Sequence, residues 1–182
     1  MNNIFMSSEF NLDNAIRKVK DFPKEGILFY DITSILTNPK AFSYCIDRME
    51  DLYKDSRIDA VAAAEARGFL FAAPFCERLG IPLILIRKKG KLPGKVLTKT
   101  YALEYGEDSI QIHKDDIPQG GRVLLVDDLI ATGGTLRAAA ELLEEGGADV
   151  LGAFGVVGLP FLNYDKVLSG MKIDTLINYD SE

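Results

Sequence analysis

Runs of residues that are apolar on both sides of an extended chain recur along this sequence, with helical stretches between them. Residues 58–64, 81–86, 122–126, 150–157 and 173–178 read as strands. Residues 10–20, Pro39–Tyr53, 67–79, Gly134–Glu145 and 161–168 have helical spacing, with Gly80 and Gly146-Gly147 placed as stops. In Pro39–Tyr53 the residues Phe42, Ile46, Met49, Leu52 and Tyr53 fall on one face, and Pro39 suits the first turn. A strand with no polar face must be covered on both sides, and helices between successive strands supply that cover. The expected fold class is therefore α/β, an open, mostly parallel twisted sheet flanked by helices.

The alternation breaks in "GKLPGKVLTKTYALEYGEDSIQIHKDD", residues 90–116, which reads as a long excursion ending in a hairpin, with alternating segments at 101–105 and 109–113. Long excursions in compact domains serve as lids or binding loops, so a flexible hairpin lid is expected at about 93–113. No repeat or linker interrupts the chain, and 182 residues suit one domain spanning 1–182.

Composition removes several functions. Only one histidine, His113, is present, which disfavours Ser-His or Cys-His triads and His-rich metal sites. A net charge of −6 argues against nucleic-acid or anionic-membrane binding. No apolar run approaches the roughly 20 residues that span a bilayer, and the N-terminus lacks the pattern of a secretory signal. Cys45 and Cys76 form no C-x-x-C pair, so a reduced, cytoplasmic setting is expected. Against the acidic background, Arg87, Lys88, Lys89, Lys91, Lys95 and Lys99 crowd into one segment. That strip is either an anion site or a solvated loop.

The stretch that carries chemistry is "VLLVDDLIATGGT", residues 123–135. Asp127 and Asp128 follow an apolar strand, where burying one charge is costly and two adjacent charges repel. In open α/β sheets ligands bind beyond the carboxyl ends of the strands. Behind the acids, Ala131, Thr132, Gly133, Gly134 and Thr135 bring small residues, backbone N–H groups and hydroxyls to the start of a helix, a combination suited to an anion. A phosphate held there leaves the ring hydroxyls of its sugar within reach of the two carboxylates. The competing reading is an ordinary two-glycine turn led by a capping acid. The other common phosphate patterns, G-x-x-x-x-G-K-[ST] and G-x-G-x-x-G, do not occur.

This stretch resembles the phosphoribosyl-pyrophosphate (PRPP) signature of the type I phosphoribosyltransferase family. "FPKEGILFYDIT" (22–33), "AAEARGFLFAAP" (63–74), "IRKKGKLPG" (86–94) and "YALEYG" (101–106) narrow the resemblance to the branch that uses adenine. It covers about residues 22–151, with a looser match beyond. It implies transfer of 5-phosphoribosyl from PRPP to adenine, giving AMP and pyrophosphate through an oxocarbenium-like transition state, and hence a role in purine salvage. The alternatives are transfer to a 6-oxopurine, for which Lys24 or Lys166 would be the cation at O6, and a non-catalytic PRPP-sensing regulator.

The resemblance also implies roles. Asp127 and Asp128 would hold the ribose hydroxyls, and Ala131 to Thr135 the 5′-phosphate. Glu65, Ala66 and Arg67 would form the pyrophosphate loop, with Arg67 as its cation and the Glu65–Ala66 peptide bond cis. Arg87, Lys88 and Lys91 would face pyrophosphate, while Lys89, Lys95 and Lys99 are read as solvated. Glu104 would be the acid beside the purine imidazole ring, and Tyr105 a lid residue. Leu28 and Phe29 would form a base-binding hood at about 10–33, although core packing competes for Leu28. The family pattern has Arg where this chain has Tyr30, a departure that touches the support of the hood. Mg²⁺ would arrive carried by PRPP and pyrophosphate, with no protein metal ligand assigned. A homodimer is implied as well.

Overall fold

The structure is a computed structural model that describes residues 10–102 and 106–181. After a single 3₁₀ turn at Leu12–Ala15 come β1 (Arg17–Lys20), β2 (Leu28–Asp31), the short α1 (Thr33–Leu36) and α2 (Pro39–Tyr53). Then follow β3 (Ala60–Ala64), α3 (Gly68–Leu79), β4 (Leu83–Lys88), β5 (Val96–Ala102) and β6 (Glu107–His113). The chain continues through β7 (Arg122–Ile130), α4 (Gly134–Glu145), β8 (Asp149–Gly158), α5 (Tyr164–Val167) and β9 (Ile173–Asn178).

Seven strands form one sheet in the order β5-β6-β4-β3-β7-β8-β9. The run from β4 to β9 is parallel throughout, while β6 is antiparallel to β4 and β5 to β6. The expected mostly parallel sheet is thus what forms. β3 lies at its centre and consists of small apolar residues, all buried, because helices press on it from both sides. Its alternation divides the core in two. Val61 and Ala63, with Leu124 and Val126 of β7, face α2 and α3; Ala60 and Ala62, with Val123 and Leu125, face α4. Phe71, Phe75 and Phe154 are among the largest fully buried side chains on the first face, each contributing about 1.5–3 kcal/mol of apolar burial.

Helix α2 starts as its sequence directs, with Pro39 in the first turn and Asn38 Oδ1 accepting the Ala41 N–H at 3.2 Å. Its apolar face is the expected one except for Leu52, which stays 39% exposed while Ala41 and Cys45 are buried in the core. Cys45 and Cys76 are free, and burial pushes their thiols up to about 12 and about 11.

Two expected helices do not form. Residues 10–20 give one 3₁₀ turn and then β1, because pairing with β2 (Val19 opposite Phe29) captures the segment. Residues 161–168 split into a 3₁₀ turn, Pro160–Leu162, and the four-residue α5, with Asn163 between them at φ 59. The hairpin is longer than expected: β5 begins at Val96 and continues the main sheet through β6. Glu104 and Tyr105 lie outside the described residues.

Candidate active site

The strand bearing the two acids is longer than the expected 122–126. β7 runs to Ile130, so Asp127 and Asp128 lie within it rather than after it. Their position is nevertheless a strand end in one direction. β3 pairs with β7 only as far as Val126, while β8 accompanies β7 to Ile130. On the β3 side the sheet stops, and the acids stand at the edge of the resulting gap.

Helix α3 begins across that gap. A Cβ on Gly68 would meet the Val126 carbonyl at 3.0 Å, Asp127 Cα at 3.2 Å and Asp127 Oδ1 at 3.3 Å, so glycine allows the helix start to sit against the acid strand. The residue before it, Arg67, pairs through Nε with Oδ2 of Asp128. Burial works against the Arg67 charge, but the hydrogen bond and charge of Asp128, helped by Asp127 and Asp31, hold its pKa above the usual guanidinium value. Asp127 keeps some exposed residue surface, yet its carboxyl is enclosed. That burial, and next the adjacent Asp128 charge, push its pKa well above the usual carboxylate range, although Oδ1 accepts the Asp128 N–H at 2.8 Å.

Beyond Ile130 the chain turns sharply into α4. Gly133 has φ 81, and a Cβ there would also approach Leu168 Cγ to 2.9 Å. Both the conformation and the space select glycine. A recess of about 90 Å³ lies in this turn, lined by Ala131, Thr132, Gly133, Gly134 and Thr135 with Asp127 at its edge. Among the described residues no side chain caps α4, and the recess lies at the first turn of that helix, where backbone N–H groups lack helical partners.

A second recess, of about 250 Å³, lies on the other side of Thr135 and reaches Glu65, Lys88, Tyr101 and Asp108. The Glu65–Ala66 peptide bond is cis. Arg87 donates to Glu65 twice, from Nε at 3.0 Å and from Nη2 at 3.3 Å, and the Lys88 N–H donates to the same carboxylate at 2.9 Å. The Arg87 hydrogen bond, followed by that of Lys88, holds Glu65 below the usual carboxylate value. Lys88 Nζ lies 3.3 Å from Asp108. Lys91 sits in the turn after β4, its N–H bonded to the Lys88 carbonyl at 3.1 Å. Lys99, read from sequence as solvated, instead pairs with Glu141 of α4 at 2.7 Å.

The third recess is the largest, about 670 Å³, and lies between the β1–β2 hairpin and the carboxyl ends of β7 and β8. Leu28, Phe29 and Tyr30 wall one side, and Leu159, Phe161 and Leu162 the other. Arg67, Ala131 and Thr132 form its floor toward the acids and the turn. Phe29 is braced edge-on by Phe22, with ring centroids 5.0 Å apart. The Leu159–Leu162 wall was missed from sequence; its one signal was its position after an apolar strand, on the edge where ligands gather. Tyr101 was missed too, and its hydroxyl shares a 3.0 Å hydrogen bond with Thr135 Oγ1.

The three recesses share lining residues: Thr135 joins the second to the first, and Ala131 and Thr132 join the first to the third. An acid pair between a glycine-turned helix start and a cationic loop, on a sheet of this order, defines a type I phosphoribosyltransferase. Residues 31–159 match the family model for the phosphoribosyl transferase domain. An adenine phosphoribosyltransferase of Treponema denticola is 64% identical over 179 residues, which is 98% of this chain and 94% of that one. The crystal structure of adenine phosphoribosyltransferase from Thermoanaerobacter pseudethanolicus superposes with a TM-score of 0.88 at 46% identity, covering 93% of this chain and 100% of the other. That of the Saccharomyces cerevisiae enzyme, complexed with an imino-altritol bisphosphate and adenine, gives a TM-score of 0.85 at 40% identity over 91% and 96%. The chain belongs to the adenine phosphoribosyltransferase family.

Proposed function

We propose that the protein transfers the 5-phosphoribosyl group of PRPP to adenine, releasing AMP and pyrophosphate, and thereby salvages adenine. The observation that carries this reading is the continuity of the three recesses around Asp127, Asp128 and Arg67. The small recess at 131–135 suits the 5′-phosphate, whose charge the helix start favours. The acids are placed to accept hydrogen bonds from the ribose diol. The recess at Glu65, Lys88 and Tyr101 suits pyrophosphate, and the apolar one a purine. In the reaction the anomeric C–O bond to pyrophosphate breaks, the bond to adenine N9 forms, and N9 loses its proton, for which the resemblance nominates Glu104. Positioning both partners and neutralising the departing pyrophosphate are the protein's contributions.

Arg67 suits the second task, since its guanidinium lies at the junction and is held charged. Lys88 brings a cation to the neighbouring recess, where it stands paired with Asp108, and Arg87 is paired with Glu65 beside it. Mg²⁺ would arrive on the oxygens of PRPP and pyrophosphate and when bound would offset phosphate charge, with no protein ligand assigned to it. Further parts of the reading are one domain over 1–182, a homodimer and a cytoplasmic location. Among the described residues no helix is long and apolar enough to cross a membrane.

The test is to incubate the protein with Mg–PRPP and adenine, hypoxanthine or guanine in turn, measuring nucleotide and pyrophosphate. AMP and pyrophosphate should form with adenine alone, because a 6-oxo base would leave buried groups unpaired. Lys24 lines the apolar recess, so comparable rates with hypoxanthine would favour a 6-oxopurine transferase. PRPP binding with no turnover of any base would favour the regulator.

A further inference from the structure

We propose that Tyr179 is a positioning residue for base binding: it ties the two walls of the purine recess together from behind, without touching the base itself. The inference rests on the proposed placement of adenine between those walls.

Tyr179 follows β9 and does not line the recess. Its main chain is fixed to one wall, since its N–H donates at 3.0 Å to the carbonyl of Gly158, the last residue of β8, which immediately precedes Leu159. Its ring is fixed to the other. It stacks on Tyr30 with centroids 3.8 Å apart and planes 15° from parallel, and Tyr30 is a buried residue that also lines the recess. One residue therefore sets the spacing between β2 and the end of β8.

The ring is held in turn by groups from the N-terminal segment. The Tyr179 hydroxyl donates to Asp13 Oδ1 at 2.6 Å, the same oxygen accepts from Lys18 Nζ at 2.7 Å, and Lys18 Nζ stands 5.2 Å from the Tyr179 ring centroid. The Tyr30 hydroxyl donates to the Ser181 carbonyl at 3.3 Å, which adds a second tie between hairpin and tail. A two-stranded hairpin alone is marginal in water, so its hold on a ligand depends on what braces it.

Tyr179→Ala removes the ring and keeps the backbone tie; Tyr179→Phe keeps the stack and removes the Asp13 hydrogen bond. Loss of a stacked aromatic pair should raise KM for adenine about threefold to tenfold. KM for PRPP should stay within twofold, and Tyr179→Phe should restore most of the base affinity. Amide hydrogen exchange should quicken across β1 and β2 in Tyr179→Ala and stay unchanged in β3 and β7. Equal rises in both KM values, or an unchanged adenine KM accompanied only by a lower Tm, would overturn the proposal. Should the wild type not use adenine, the proposed function fails while the exchange comparison still decides the brace: unchanged exchange in the hairpin overturns it. If Tyr179→Ala does not fold, Tyr179→Leu, which fills the space without the aromatic stack, takes its place, and unchanged hairpin exchange together with unchanged adenine KM would again overturn it.

Discussion

Arg67 and Asp128 are ion-paired within the proposed substrate site, the arginine side chain 50% exposed and the aspartate side chain 6%. The pair joins the cation assigned to pyrophosphate with an acid assigned to ribose. On that assignment PRPP shares or displaces this contact as its diol reaches Asp128. A half-exposed cation above a buried anion suits that exchange, because the arginine moves at little desolvation cost while the aspartate stays fixed.

Asp127→Asn and Asp128→Asn should each weaken PRPP binding and lower turnover without loss of the fold. For Asp128 the lost charged hydrogen bond to a diol is worth about 1.5–3 kcal/mol, or roughly tenfold to a hundredfold in Kd, and the Asp127 substitution should cost less because burial raises the pKa of that carboxyl. Calorimetric titration with Mg–PRPP measures the effect. Native affinity and rate in both variants would remove the ribose assignment.

Asp127 makes stability depend on pH with a definite sign. Its folded pKa is raised, first by burial and then by the Asp128 charge, so the native state binds this proton more tightly than the unfolded chain, whose aspartate titrates near about 3.9. The resulting stability is fully present below that value and is lost as pH rises through the folded pKa. Asp127→Asn carries no such loss. Its Tm relative to the wild type should therefore climb as pH rises from about 4 toward neutrality. A Tm difference that stays flat over this range would show that the carboxyl is not held protonated.

Glu104→Leu should lower turnover far more than it weakens PRPP binding, by the about 10²–10⁴-fold typical of acid–base help. Steady-state rates set beside PRPP affinity separate the two effects. Near-native turnover would return Glu104 to the role of a surface residue.

The lid assignment is tested by proteolysis at Lys95 and Lys99. Lys99 is tied to Glu141 and Tyr101 to Thr135, both contacts of β5 with α4. These are two polar contacts near a proposed hinge at Pro93-Gly94, and a chemistry that must exclude water needs the segment to open and close. Limited trypsin digestion should cut the free protein at these lysines, and Mg–PRPP should slow that cutting selectively. Equal cleavage with and without saturating PRPP, on protein shown to bind it, would mean that the excursion is no lid.

Local pattern was legible where local interactions decide the structure. Pro39–Tyr53 forms over its expected span because its periodicity and the Asn38 cap agree, Gly134–Glu145 because its periodicity runs to Gly146, and Ile173–Asn178 forms the expected strand. The acid pair and the turn behind it were readable because their chemistry is written in consecutive residues. What escaped depends on partners far away in sequence. Residues 17–20 become a strand because residues 28–31 lie beside them, and β7 continues past Val126 because β8 accompanies it. The apolar wall at Leu159–Leu162 belongs to the site only because the sheet brings the end of β8 beside β7. Tyr30, marked in the sequence only as a departure, proves to be stacked on Tyr179, a residue 149 positions away.

The purine recess draws its walls from residues 28–30 and 159–162, whereas the acids and the phosphate turn occupy a single stretch, 127–135. On the proposed assignment, sugar handling and base choice are encoded in separate parts of the chain, with Arg67, Ala131 and Thr132 as the shared ground. A change in which base is accepted can then arise from substitutions in the outlying segments alone, leaving the sugar-phosphate apparatus as it was. The protein is in this sense modular within one sheet: its selectivity can drift while its chemistry stays put.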